Sequence, residues 1–106
     1  MKAGKDFGLL FSYERVMVSR LIHNITMYDR IVGGIDAESM QRGIELYNNI
    51  VKAKLHPTDA LTAEVAKVTE NAYRDVNIAF ANEIALICES LGVNVHDVRG
   101  FVNSFT

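Results

Sequence analysis

From Thr58 to Leu91 the chain contains neither glycine nor proline, and no other stretch constrains the fold as much. Leu61, Val65, Val68, Ala72, Val76 and Ala79 recur at spacings of three and four, which is the repeat of one helical face. Tyr73, Phe80, Ile84, Ile87 and Leu91 make a second stripe on an adjoining face. Thr58 or Asp59 can cap the start, and Gly92 supplies a left-handed stop. A helix over residues 58–91 spans about 51 Å at about 1.5 Å per residue. A compact domain of this chain's length has a radius of gyration of about 13 Å, hence a diameter of about 33 Å. One copy cannot cover both stripes of such a helix. The expected partner is the chain itself, in a two-fold homodimer through residues 58–91.

The remaining elements are shorter. Phe7, Leu9 and Phe11 alternate as in a strand, and Arg30–Gly34 reads as a second strand ended by a glycine turn. The stretch from Glu14 to Asp29 shows no periodicity that assigns it to an element. Asp36 is a suitable N-cap for a helix to about Val51, with Met40, Ile44, Tyr47 and Val51 as its apolar stripe. Lys54-Leu55-His56 reads as a short extended piece before Pro57, and Asn94 caps a last helix to about Val102 with Asp97 in its first turn. The fold expected is mainly α, with α+β character at the N-terminus: a long central helix, shorter helices and short N-terminal strands.

Composition narrows the function classes. Thirteen acidic against eleven basic residues give a net charge of −2, which does not suit a nucleic-acid binder or a polybasic membrane segment. The longest apolar run, Ile84 to Cys88, is far too short to span a bilayer, and no signal-peptide pattern opens the chain. A cytoplasmic location is expected. A single cysteine forms no internal disulfide, and His23, His56 and His96 lack metal-ligand spacing, so no metal site is expected. The Asn24-Ile25-Thr26 sequon has no meaning without a secretory signal.

Few residues invite chemistry. Lys67 and Asn71 project from one face of the long helix, and a lysine beside a carboxamide can donate hydrogen bonds to a developing oxyanion. The same spacing also suits a solvated surface, on which Glu64 pairs with Lys67 and Glu70 with Arg74. Glu14 follows a strand, where catalytic carboxylates and ordinary loop acids are both found. Cys88 lies in an apolar run and reads as a buried, inert thiol. No phosphate-cradling glycine loop is present, Gly33-Gly34 being too short.

Taken together, several segments resemble the UDP-glucose/GDP-mannose dehydrogenase family. Thr62-Ala63-Glu64-Val65-Ala66-Lys67 followed by Glu70-Asn71-Ala72-Tyr73 looks like the family's central helix. The likeness continues through Val76–Glu83 and Cys88-Glu89-Ser90-Leu91-Gly92-Val93. Upstream, Glu14-Arg15-Val16-Met17, Arg20-Leu21 and Arg30–Gly34 resemble the end of the NAD-binding domain. The nearest branch looks like the one that oxidises UDP-N-acetylhexosamines, such as UDP-N-acetylmannosamine. Three positions depart from that branch. Tyr13 stands where proline is usual, and Val18-Ser19 replaces Pro-Gly.

The resemblance implies residues 1–36 as the end of a Rossmann-type domain and 37–106 as a central helical dimerisation domain. It implies oxidation of the C6 alcohol of a nucleotide sugar to a carboxylate, for polysaccharide precursor synthesis, with NAD as the parent family's cofactor. By position, Lys67 and Asn71 match the residues that bind substrate and stabilise the oxyanion, and Glu14 matches the acid that positions substrate and a catalytic water. The dinucleotide fingerprint and the family's nucleophilic cysteine have no counterpart here, and Cys88 is not that cysteine. The resemblance therefore implies a dimerisation-core fragment, inactive alone, with no cofactor of its own and with UDP-sugar bound only in the full-length context. Two alternatives are a free-standing dimerisation module without catalysis and a small enzyme using Glu14, Lys67 and Asn71 for another proton transfer.

Overall fold

In the computed structural model, which describes residues 1–104, the long helix and the cap behind it are both present. Element order is β1 (Leu10–Phe11), α1 (Leu21–Met27), β2 (Arg30–Gly34), α2 (Ala37–Tyr47), β3 (Leu55–Asp59), α3 (Ala60–Leu91) and α4 (Val95–Asn103). Four helices and three short strands match the mainly-α expectation with β structure confined to the N-terminal part. Contacts gather into two units, Met1–Thr69 and Glu70–Thr106, and α3 contributes residues to both.

The first unit is built on β2. It pairs antiparallel with β1, Leu10 opposite Gly34, and parallel with β3 from Arg30 opposite Leu55 to Gly34 opposite Asp59. Parallel strands need a crossover, and α2 supplies it. Val32, at the middle of the central strand, is completely buried. Asp36 caps α2 through a 2.7 Å bond from the Ser39 amide. The sequence reading carried this helix to Val51, whereas it stops at Tyr47. Asn49 ends it, its carboxamide donating to the Glu45 carbonyl at 2.8 Å and so taking an oxygen the next turn would need. Val51 is still buried, but from a following turn.

Two segments differ from expectation. β3 does not stop before Pro57 but continues to Asp59. Among the described residues no strand lies on its far side, so the missing proline N–H costs no ladder bond. The unassigned Glu14–Asp29 stretch contains α1, anchored by the buried Asn24, whose carboxamide donates to the Arg20 carbonyl (3.0 Å) and accepts from the Met17 amide (2.8 Å). That burial also removes the sequon's asparagine from modification. Just before α1, Ser19 sits in the left-handed region at φ 68°, at the position where the resembling branch has glycine. Its backbone keeps the glycine-type turn although the residue has changed, and its hydroxyl donates to the Val18 carbonyl at 2.6 Å.

Asp59 starts α3. Its carboxylate accepts from the Thr62 amide at 2.8 Å and the Thr62 hydroxyl at 2.6 Å. At the other end Gly92, at φ 67°, closes the helix: its amide bonds the Glu89 carbonyl, and the Val93 amide bonds that of Cys88 at 3.0 Å. Asn94 then caps α4 by accepting from the His96 amide. Within the second unit Cys88 is the buried apolar residue, as expected of an inert thiol. Both stripes of α3 remain largely exposed there, Tyr73 at 71% and Leu91 at 70%.

The Asp59 cap carries a pH signature. The Thr62 hydroxyl and amide hold its carboxyl below the ordinary value of 3.8. A depressed folded-state pKa makes the unfolded chain the better proton binder, so the cap's contribution is complete above the ordinary value and is lost as pH falls through the folded one. Thermal unfolding followed by circular dichroism in that acid window is expected to show a smaller drop in melting temperature for Asp59→Asn than for the native chain. Equal drops would mean that the cap is not coupled to folding.

Candidate functional site

Glu14 and Lys67, fifty-three residues apart, meet in the first unit. The Lys67 ammonium donates to the Glu14 carbonyl at 3.4 Å and stands 5.0 Å from the centre of the Tyr13 ring. Lys67 comes from the third turn of α3, and Glu14 from the chain leaving β1. Ser12 fixes that chain to the sheet, its hydroxyl donating to the Ile31 carbonyl on β2 at 2.7 Å. The Glu14 carboxylate itself accepts from the Val16 amide at 2.7 Å. It is Glu14's backbone, not its acid group, that touches Lys67.

Arg15 completes the cluster. Its guanidinium donates to the Tyr13 hydroxyl (3.1 Å) and the Asp29 carbonyl (3.0 Å), and lies 5.3 Å from the Tyr13 ring centre. Asp29 is held in turn by His56 Nε2 at 2.8 Å and by the Lys54 amide at 3.2 Å. These bonds, with the His56 bond the largest cause, lower the Asp29 carboxyl from its ordinary range. Arg15, Asp29, His56, Thr58 and Thr62 border an open cavity of about 430 Å³. Nothing in the sequence points to this network, because its members lie on four separate segments with no spacing rule to link them. His56, which lacks metal-ligand spacing in the sequence, is a hydrogen-bond partner of the Asp29 carboxylate.

Asn71 belongs to the second unit, one turn beyond Lys67 on α3. Its carboxamide oxygen accepts from Arg74 Nη2 at 2.7 Å, which leaves its NH₂ group as the donor end. Among the described residues no group of three or more His, Cys, Asp or Glu side chains could hold a metal ion. A dinucleotide fits no better. Gly33 and Gly34 are filled by packing, since a Cβ on Gly33 would lie 2.6 Å from the Ala63 Cβ and 2.7 Å from the Asp59 carbonyl. A Cβ on Gly34 would collide with the Met40 backbone. These glycines let α2 and α3 approach the sheet and leave no cradle for a pyrophosphate.

A parallel β-α-β unit continued by one long capped helix, with an acid loop against the helix's third turn, is the class of segment these parts define. Comparison with known proteins makes it particular. Residues 61–105 match the model of the UDP-glucose/GDP-mannose dehydrogenase family, central domain. UDP-N-acetyl-D-mannosamine dehydrogenase of Methanococcus vannielii is 44% identical over 85% of this chain and 21% of its own length. The structure of the UDP-D-ManNAc dehydrogenase of Pyrococcus horikoshii superposes with a TM-score of 0.90 at 38% identity, covering 98% of this chain and 25% of that one. NDP-N-acetyl-D-galactosaminuronic acid dehydrogenase of Methanosarcina mazei gives 0.83 at 50% identity, over 98% and 22%. The chain belongs to the UDP-glucose/GDP-mannose dehydrogenase family. It spans about a fifth to a quarter of the length of these relatives.

Gly33→Ala tests the packing that seats Lys67. The added methyl has no free space and its nearest neighbours include backbone, so a loss of about 1–3 kcal/mol is expected in urea unfolding. An unchanged midpoint would show that α3 does not press on β2 as described.

Proposed function

We propose that this stretch forms one wall of the substrate site of an NAD-dependent UDP-N-acetylhexosamine 6-dehydrogenase. The carrying observation is the meeting of Lys67 with the Glu14 loop at 3.4 Å, in a chain whose relatives are named as UDP- or NDP-sugar dehydrogenases. In this reading the Lys67 ammonium and the Asn71 NH₂ group donate to the oxygen that gains negative charge as the C6 alcohol is oxidised towards the carboxylate. Glu14 orients the sugar and a water from the adjoining loop. No residue of this chain is assigned to NAD, the glycine pair being spent on packing. The nucleophile is assigned elsewhere too, because Cys88 is buried in the apolar stripe. The 106-residue chain alone is accordingly expected to turn over no UDP-sugar with NAD.

The same reading gives the exposed stripes of α3 an occupant, a second copy of the chain. Val76, Phe80, Ile87 and Leu91 are each more than half exposed, which a lone helix in water does not favour. Residues 1–36 are then the end of a Rossmann-type domain and 37–106 the dimerisation domain, working in the cytoplasm.

Two measurements check this. In a full-length dehydrogenase carrying this stretch, Lys67→Met is expected to lower kcat about 10²–10³-fold with KM nearly unchanged, read from NADH production. A rise in KM with kcat unchanged would remove Lys67 from the oxyanion role. Sedimentation equilibrium of the chain across a wide dilution range is expected to show a dimer that Val76→Glu converts to monomer. A native chain that is monomeric throughout would overturn the pairing.

A further inference from the structure

We infer that Tyr13 is a positioning residue for Lys67, its ring serving as a fixed platform for the ammonium. The inference rests on the functional reading of Lys67 given above, and the geometry behind it is separate. An ammonium has three N–H donors and no acceptor. In Lys67 one donor goes to the Glu14 carbonyl at 3.4 Å, and the charge stands 5.0 Å from the Tyr13 ring centre, within the range of cation–π attraction. A lysine side chain has four rotatable bonds, and a single long hydrogen bond to a backbone carbonyl does not fix them. The ring face adds a second point of contact and leaves an N–H for a substrate oxygen.

A platform is useful only if it does not move. Tyr13 is held from its hydroxyl end by Arg15 Nη2 at 3.1 Å, and its ring lies 6.2 Å from that of Phe11 on β1. Arg15 is tied to the sheet through the Asp29 carbonyl at 3.0 Å, and Asp29 through the Lys54 amide and His56. A chain of contacts thus runs from the N-terminal ends of β2 and β3 through Asp29, Arg15 and Tyr13 to Lys67. Proline, the residue usual at position 13 in the resembling family, offers no aromatic face. This chain therefore reaches Lys67 by a contact that proline cannot make.

Nuclear magnetic resonance on the 106-residue chain with labelled lysine tests it. A methylene beside an aromatic face is displaced upfield by the ring current, so the Lys67 ε-CH₂ signal is expected upfield of the other lysines. Tyr13→Phe keeps the ring and is expected to retain the displacement. Tyr13→Leu is expected to abolish it while the methyl signals of the buried Val32 stay in place, reporting an intact core. A Lys67 signal at the exposed-lysine position in the native chain overturns the inference, as does a displacement that survives Tyr13→Leu. Titration with UDP-N-acetylmannosamine is read on the same signal in a full-length dehydrogenase carrying this stretch. A ring displacement present there but untouched by saturating nucleotide sugar sinks the functional reading of Lys67 and leaves its contact with Tyr13 supported.

Discussion

The structure turns on the junction at Asp59. This residue closes the parallel pairing of β3 with β2, opposite Gly34, and in the same position caps α3 through Thr62. A strand and a helix that share one residue have no loop between them to absorb error. The direction in which α3 leaves the sheet is then set by strand pairing, and the contact of Ala63 with Gly33 sets how closely its first turn lies. Lys67 is one turn further on. Sheet register therefore brings the Lys67 turn beside the Glu14 loop, where the side chain meets the Glu14 carbonyl and the Tyr13 ring.

Charge in the site follows the same economy of local anchoring. Three acids have lowered carboxyls: Asp29 through His56 and the Lys54 amide, Asp36 through the Ser39 amide and hydroxyl, and Asp59 through the Thr62 hydroxyl and amide. These acids hold the frame. Glu14 differs, since its carboxylate bonds only a near neighbour's amide in an exposed turn and its backbone does the long-range work. Lys67 is half-buried and touches a neutral carbonyl and a ring.

Much of this was legible in the sequence, for reasons that are local. The Gly- and Pro-free stretch, its apolar repeat, and the caps at Asp36, Asp59 and Asn94 all act within a few residues, and Gly92 takes the left-handed φ expected of it. What could not be read depends on distant partners. α1 is short, without a side-chain cap, and is held by the buried Asn24, so no periodic signal marks it. β3 passes through Pro57 because among the described residues no strand lies on its outer side, a fact of sheet order that no dipeptide rule contains. The approach of Lys67 to Glu14 was suggested by family resemblance alone. Its contact with the Tyr13 ring joins residues far apart in the chain, beyond the reach of spacing arguments.

One continuous helix here carries two different kinds of stability. Its first turns are locked to the sheet by the shared Asp59 and by Ala63, which is wholly inaccessible to solvent, so they cannot fray without loosening strand pairing. The turns beyond Thr69 lie in the second unit, where apolar side chains remain exposed and only Cys88 is sealed among the described residues. Cooperativity therefore has a seam within an unbroken run of backbone hydrogen bonds. Local opening can start in the later turns while the Lys67 turn stays closed.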